Sequence, residues 1–134
     1  MQCATATPPV AAPVRVFFVE DSPLVRERLE GLVTLAGARA VGHASGAQQA
    51  IRAILAAHPD LVIVDFMLDE GSGFEVLQAI HDAAPDIELC MLSNSSSEPY
   101  RRIARRLGAG SFFDKSTEFE RIGEVIAARA AARH

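Results

Sequence analysis

Short apolar runs and amphipathic stretches alternate five times along this chain, and that alternation is its strongest constraint. VRVFFVE (14–20), ARAVGHAS (38–45), LVIVDF (61–66), IELCML (87–92) and SFFD (111–114) read as strands. LVIVDF is apolar on both alternating faces, as a central parallel strand covered on both sides requires. Helical periodicity fills the intervals. The first helix starts at Asp21-Ser22-Pro23, a capping residue followed by proline in the first turn. It lines up Leu24, Leu29, Leu32 and Val33 on one face and ends at Gly37. Ala47 to Ala57 forms the second, with Ile51, Ile54 and Leu55 inward and His58-Pro59 as its stop. The third carries Phe74, Val76, Leu77 and Ile80 and ends before Pro85. The fourth runs from Ser96 to Leu107, with Gly108 just past its end. The fifth carries Phe119, Ile122, Val125 and Ile126, behind a capping box of Thr117 and Glu120. Crossovers of this length join parallel strands with right-handed connections. The expected fold is α/β, a doubly wound five-stranded parallel sheet with helices on both faces.

At 134 residues the chain is one domain of ordinary size. Residues 1–13 hold three prolines and no charged side chain, and are expected to form a flexible tail; the prolines break any apolar run that a signal peptide would need. The folded unit is expected over 14–131, and since the fifth helix uses up the chain no output domain is expected. No apolar run approaches the roughly 20 residues of a membrane span. A formal charge of −4 excludes a nucleic-acid binder that works with its whole surface. Cys3 and Cys90 are too few for a disulfide framework and read as reduced thiols of a cytoplasmic protein. Of 13 basic residues only Lys115 is a lysine, which marks that position.

In an open parallel sheet, ligands bind beyond the carboxyl ends of the strands, at the topological switch point. The first strand ends in Glu20-Asp21, the third in Asp65, the fourth in Ser93-Asn94 and the fifth in Asp114-Lys115; the second, at Ala44-Ser45, ends without obvious chemistry. Carboxylates converging on one rim repel each other, and a divalent cation removes the conflict. Hard oxygen donors without His or Cys favour Mg²⁺ over zinc. Mg²⁺ takes one or two protein carboxylates and keeps several waters, so one acid is left to react. Asp65, ending the most apolar strand, is the candidate to accept a phosphoryl group as an acyl phosphate. Lys115 would neutralise phosphoryl oxygens, and the Ser93 hydroxyl would hydrogen-bond one of them. Taken singly, Asp21 is an ordinary helix cap, Ser93 a loop serine and Lys115 a surface lysine; the combination is what carries the reading.

The same residues resemble the response-regulator receiver domains of two-component signalling, over about residues 14–130, and the extent is similar to that of free-standing, chemotaxis-type receivers. The resemblance rests on Glu20-Asp21 after VFFV, on LVIVDFML with Gly73 beyond it, on Ser93 after the fourth strand, and on Lys115 in FFDKS. It implies a flavodoxin-like (βα)5 fold with strand order 2-1-3-4-5. It implies that Asp65 takes the phosphoryl group from a sensor histidine kinase, a phosphotransfer protein or a small phosphodonor. Asp21, Asp65 and the Met67 backbone carbonyl would ligate Mg²⁺, with Glu20 acting through water. Ser93 and Lys115 would grip the phosphoryl group, and Phe112 would be the aromatic that turns inward, unless it is a plain core residue. Chemistry would be confined to the chain's own phosphorylation and dephosphorylation, so the protein would be a switch rather than an enzyme.

Three positions depart from the family pattern in ways that bear on the loops. Asp69 stands where a proline is usual, which predicts a looser, more acidic loop. Asn94 stands where a small residue is usual and is a candidate gate for water or kinase access. Ser116 stands where a cis-proline is usual, so the last loop is expected to take another path. Glu20 in place of the commoner Asp is a change the family tolerates.

Arg101, Arg102, Arg105 and Arg106 are spaced to form a basic stripe on the fourth helix. A solvated face is the plain interpretation; the sharper one is a docking surface for an acidic downstream partner, or for a second copy through helix 4, strand 5 and helix 5. Direct nucleic-acid binding is not expected. The alternative function is a receiver-like scaffold that signals by protein binding without phosphorylation. An electron carrier or an aspartate-nucleophile phosphatase is disfavoured, because Glu20-Asp21-Ser22-Pro23 replaces a phosphate loop and Met67 replaces the second acid.

Overall fold

The computed structural model describes residues 12–95 and 97–132. The expected tail therefore lies, apart from Ala12 and Pro13, outside the described residues, as do Cys3 and Ser96. Five strands, β1 (Arg15–Val19), β2 (Arg39–Ala44), β3 (Leu61–Asp65), β4 (Glu88–Ser93) and β5 (Ser111–Asp114), alternate with α1 (Pro23–Leu35), α2 (Ala47–Ala57), α3 (Gly73–Ala83), α4 (Glu98–Arg106) and α5 (Ile122–Ala131). All strand pairings are parallel, in the order β2-β1-β3-β4-β5. The chain starts in the second position of the sheet, winds outward to β2, then crosses to β3 and continues to β5. The switch point thus lies between β1 and β3, above Glu20, Asp21 and Asp65.

Alternation along each strand sends side chains to two separate cores. Val62 and Val64 of β3 join Phe17, Val19, Leu89 and Met91 beneath α2, α3 and α4, whose Ile54, Leu77, Ile80 and Ala104 complete that layer. Leu61 and Ile63 join Val16, Phe18, Cys90 and Leu92 beneath α1 and α5, with Leu29, Val33, Ile122 and Ile126. Every residue of β3 is buried, as its two-sided apolar pattern demands.

Helix periodicity misplaced two side chains: Leu24 is 69% exposed and Leu55 41%, whereas Leu29, Val33 and Ile54 are buried as expected. Leu24 lies off the buried face of α1: its neighbour Val25, four positions before Leu29, is the first-turn residue that packs on the layer. The Thr117–Glu120 capping box does not form. A single 3₁₀ turn, Phe119–Arg121, precedes α5, and neither element has a side-chain cap. The Asp114 carboxylate takes the loop amides instead, accepting from the N–H groups of Ser116 at 2.9 Å and Thr117 at 3.1 Å.

Gly73 opens α3 where the helix meets the end of β3. A Cβ there would collide with the Asp65 carbonyl and crowd Met91, so only glycine lets the helix pack this close behind the third strand.

Candidate functional site

Glu20, Asp21 and Asp65 meet at the carboxyl end of β1 and β3, with one oxygen from each lying within 4.8 Å of the others. Glu20 is held from two sides: its own N–H donates to the Ala44 carbonyl, and its Oε2 accepts from the Ser22 N–H at 3.0 Å. Ser22 in turn caps α1, its hydroxyl accepting from the Val25 N–H. Asp21 stands between them, half-buried. Asp65 is 4% exposed and Glu20 1%.

Lys115 crosses to this group from the loop after β5. Its Nζ donates to Asp65 Oδ2 at 3.0 Å and lies 3.1 Å from Glu20 Oε1. The chain's single lysine, 50 positions from Asp65 and 95 from Glu20, is thus the counter-charge of the cluster. Its backbone N–H donates to the Ser93 carbonyl at 2.9 Å, which ties the last loop to the end of β4. Ser93 itself is buried, and its Oγ accepts from the Ser95 N–H at 2.9 Å; Asn94 follows it, exposed.

One cation does not balance three carboxylates in a water-poor setting. Burial, reinforced by the Asp65 charge, pushes Glu20 up to about 7. Burial also raises Asp65, against the Lys115 hydrogen bond that favours its charged form. Burial disfavours the Lys115 charge, but Asp65 and Glu20 outweigh it and hold the ammonium above its ordinary value. Glu20 Oε1 is buried and accepts no hydrogen bond among the described residues, its approach to Lys115 being poorly aligned. An orphaned carboxylate oxygen beside two more acids, with no nitrogen or sulfur donor in the cluster, is a donor set that fits a hard divalent cation.

The rim reading from strand ends therefore brings Glu20, Asp21, Asp65 and Lys115 together. Phe112 lies inward, 9% exposed, with the Arg101 guanidinium 4.9 Å from its ring centre. Met67, whose backbone is hydrogen-bonded to the Asp65 carboxylate, points its side chain outward, 68% exposed. The basic stripe needs correction. Arg101 is half-buried, donating to the Phe112 carbonyl and to Glu118, and Arg105 is paired with Glu98; Arg102 and Arg106 are exposed. Sequence reasoning overlooked Glu118, which accepts from the Asp114 N–H and from Arg101 and Arg121. The Asp69 loop also differs from expectation. Rather than loose, it is laced to the β2–α2 connection by Asp69 N–H to the Ser45 carbonyl and by Ala47 N–H to the Glu70 carbonyl.

A parallel five-stranded sheet with an acid cluster and a lysine at its switch point defines a class of signalling domain, and comparison with known proteins agrees. The profile of the response regulator receiver domain matches residues 16–127, and the chain belongs to that family. Among curated relatives, the DNA-binding transcriptional activator DevR/DosR of Mycobacterium tuberculosis is 29% identical over 124 residues, covering 90% of this chain and 56% of that protein. The chemotaxis protein CheY of Thermotoga maritima is 25% identical over 112 residues, covering 84% of this chain and 93% of that one. A two-component response regulator of the LuxR family from Aurantimonas superposes with a TM-score of 0.82 at 25% identity, covering 92% of this chain and 89% of that one. The chain spans about half the length of the first of these relatives and nearly all of CheY. No helix among the described residues is long and apolar enough to cross a membrane.

Proposed function

We propose that this chain is a phosphorylation-controlled switch in which Asp65 accepts a phosphoryl group from the phosphohistidine of a sensor kinase or phosphotransfer protein, or from a small phosphodonor. The observation that carries this reading is the Lys115 ammonium 3.0 Å from the Asp65 carboxylate, against a cluster that Asp65 forms with Glu20 and Asp21. The Asp65 carboxylate oxygen attacks phosphorus, the donor's imidazole or carboxylate departs, and an acyl phosphate results. Such a transfer asks the protein mainly for positioning and charge neutralisation.

Each residue has a part in that. Lys115, freed from sharing Asp65, takes a phosphoryl oxygen; the Ser93 hydroxyl takes another by turning from the Ser95 amide. Glu20, Asp21, Asp65 and the Met67 carbonyl would hold Mg²⁺, which supplies neutralisation of the charge on the transferring group. Asn94, exposed beside Ser93, would control access of water to the acyl phosphate. Phe112, beneath α4, would report the state of Ser93 to the face made by α4, β5 and α5. That face, with exposed Arg102, Arg106 and Ile103, is where a downstream protein or a second copy of the chain would dock.

Incubation with Mg²⁺ and acetyl phosphate, followed by intact-mass measurement, tests the reading. The wild type is expected to gain a base-labile phosphoryl group and Asp65→Asn none. Labelling that persists in Asp65→Asn would move the acceptor elsewhere. No labelling of the wild type would favour a scaffold that works by binding alone.

A further inference from the structure

The loop that delivers Lys115 is held by a network with no part yet in the chemistry. Lys115 has a long, freely rotating stem, so where its ammonium sits depends on how firmly its backbone is placed. Ser116 follows it, so no proline ring fixes the path. Carboxylates fix it instead. Glu118 Oε1 accepts the Asp114 N–H at 2.9 Å, the Glu118 N–H returns to the Asp114 carbonyl at 2.9 Å, and Asp114 Oδ1 takes the amides of Ser116 and Thr117. Glu118 is itself gripped. Arg101, from α4, reaches the same Oε1 at 3.1 Å, while its other terminal nitrogen donates to the Phe112 carbonyl at 3.2 Å. Arg121 takes Oε2 at 3.0 Å. Only about a quarter of the Arg101 and Glu118 side chains is exposed (28% and 25%), so this pair is much better shielded than a surface ion pair.

We propose that Arg101 and Glu118 are positioning residues for Lys115, and that through them the place of the active ammonium and the seat of α4 on β5 are set together. The proposal rests on the phosphoacceptor reading and deepens it. A shift of the Lys115 loop toward a phosphoryl group would pull on the Asp114 amide, hence on Glu118, hence on Arg101 and the helix that carries it. A plain loop staple would support stability alone. A positioning pair must lower the affinity of the site for a phosphoryl group without lowering its affinity for the metal, because the acids stand at the ends of β1 and β3 and the Lys115 ammonium competes with a cation for the same carboxylates.

The full chain, its Asp65→Asn, Glu118→Ala, Glu118→Gln and Arg101→Ala variants, and the Glu118→Ala/Arg101→Ala double variant are compared in two titrations. One follows Mg²⁺ binding by calorimetry; the other follows Mg²⁺-dependent labelling by acetyl phosphate at subsaturating donor, with thermal unfolding recorded in the same buffers. Glu118→Ala and Arg101→Ala are each expected to slow labelling about five-fold, within the range that loss of one hydrogen bond spans, with Mg²⁺ affinity no weaker than that of wild type. The double variant should be little worse than the worse single, since both act through one network. Glu118→Gln, which keeps an acceptor for the Asp114 amide and loses the charge that holds Arg101, should fall between; it carries the test if Glu118→Ala does not fold. Wild-type labelling rates in the Glu118 variants, or equal losses of labelling and of Mg²⁺ affinity, overturn the positioning role while leaving the phosphoacceptor reading intact. A wild type that takes no label overturns both.

Discussion

Glu20, 1% exposed, is the most deeply buried acid at the rim. Its carboxyl is pushed up to about 7 by burial and by Asp65, against an ordinary value of 4.5 in the unfolded chain. Between those two values the folded protein keeps a proton that the unfolded chain has released, so the stability of the metal-free protein falls as pH rises from about 5 to about 7, by on the order of 2 kcal/mol. A divalent cation binds the charged form and reverses the trend. Saturating Mg²⁺ is therefore expected to raise the melting temperature more at about pH 8 than at about pH 5.5, and Glu20→Gln should flatten the pH dependence of the metal-free protein. Melting curves with Mg²⁺ and with chelator check this, and an equal metal effect at both pH values would refute it. Glu20, Asp21, Asp65 and Lys115 were legible because each stands at a strand end, where topology alone brings distant positions together. The lysine was further marked by the 13 basic residues of which it is the one that is not arginine. Asp114 as a loop clasp and Glu118 were not legible. Asp114 accepts amides two and three positions ahead, a pattern open to any loop aspartate, and Glu118 reaches Arg101 across 17 positions, so no motif singles them out.

At the scale of elements, the β3–α3 loop shows why a departure from the usual residue can be a constraint rather than a gap. Proline at position 69 could not donate to the Ser45 carbonyl, and here Asp69 does so at 3.1 Å while Glu70 returns a carbonyl to Ala47. Gly71, at φ +76 and with Ala47 in the space a Cβ would need, turns the chain between that tie and α3. Asp69→Pro is thus expected to destabilise the fold by about 1 kcal/mol through loss of one bond, and Asp69→Ala, which keeps the amide, by less than about 0.5 kcal/mol. Urea unfolding separates the two, and equal stability of Asp69→Pro and Asp69→Ala would show the tie to be worth nothing. The sequence predicted a looser loop here because side-chain identity was visible and backbone donation was not. It likewise placed Leu24 and Leu55 inward, since an apolar residue beside the true contact residue (Val25 beside Leu24, Ile54 beside Leu55) blurs the edge of a helix face. Thr117 and Glu120 had capping spacing, yet Asp114 reaches the loop amides first and the helix starts later.

In the whole molecule, one sheet separates two apolar layers, and the site stands on the rim that both of them hold. β1 and β3 supply its acids, and each sends alternate side chains into the layer under α2, α3 and α4 and into the layer under α1 and α5. Among the described residues the two layers form separate clusters on opposite faces of shared strands. Ile54 and Ile126, both fully buried, anchor opposite layers. Ile54→Ala and Ile126→Ala are each expected to cost about 2–5 kcal/mol, as a cavity left by a lost branched side chain does. Because the backbone of a five-stranded sheet lies between the cavities, the double variant should lose the sum of the two to within about 0.5 kcal/mol. A deficit or excess well beyond that would mean that strain passes through the sheet. Urea unfolding of the singles and of a double variant retained in a stabilising salt decides it. Additivity would mean that either layer can be disturbed without distorting the other, so α4, on one side, can respond to the Lys115 loop while α1 and α5, on the other, keep β1 and its acids in place.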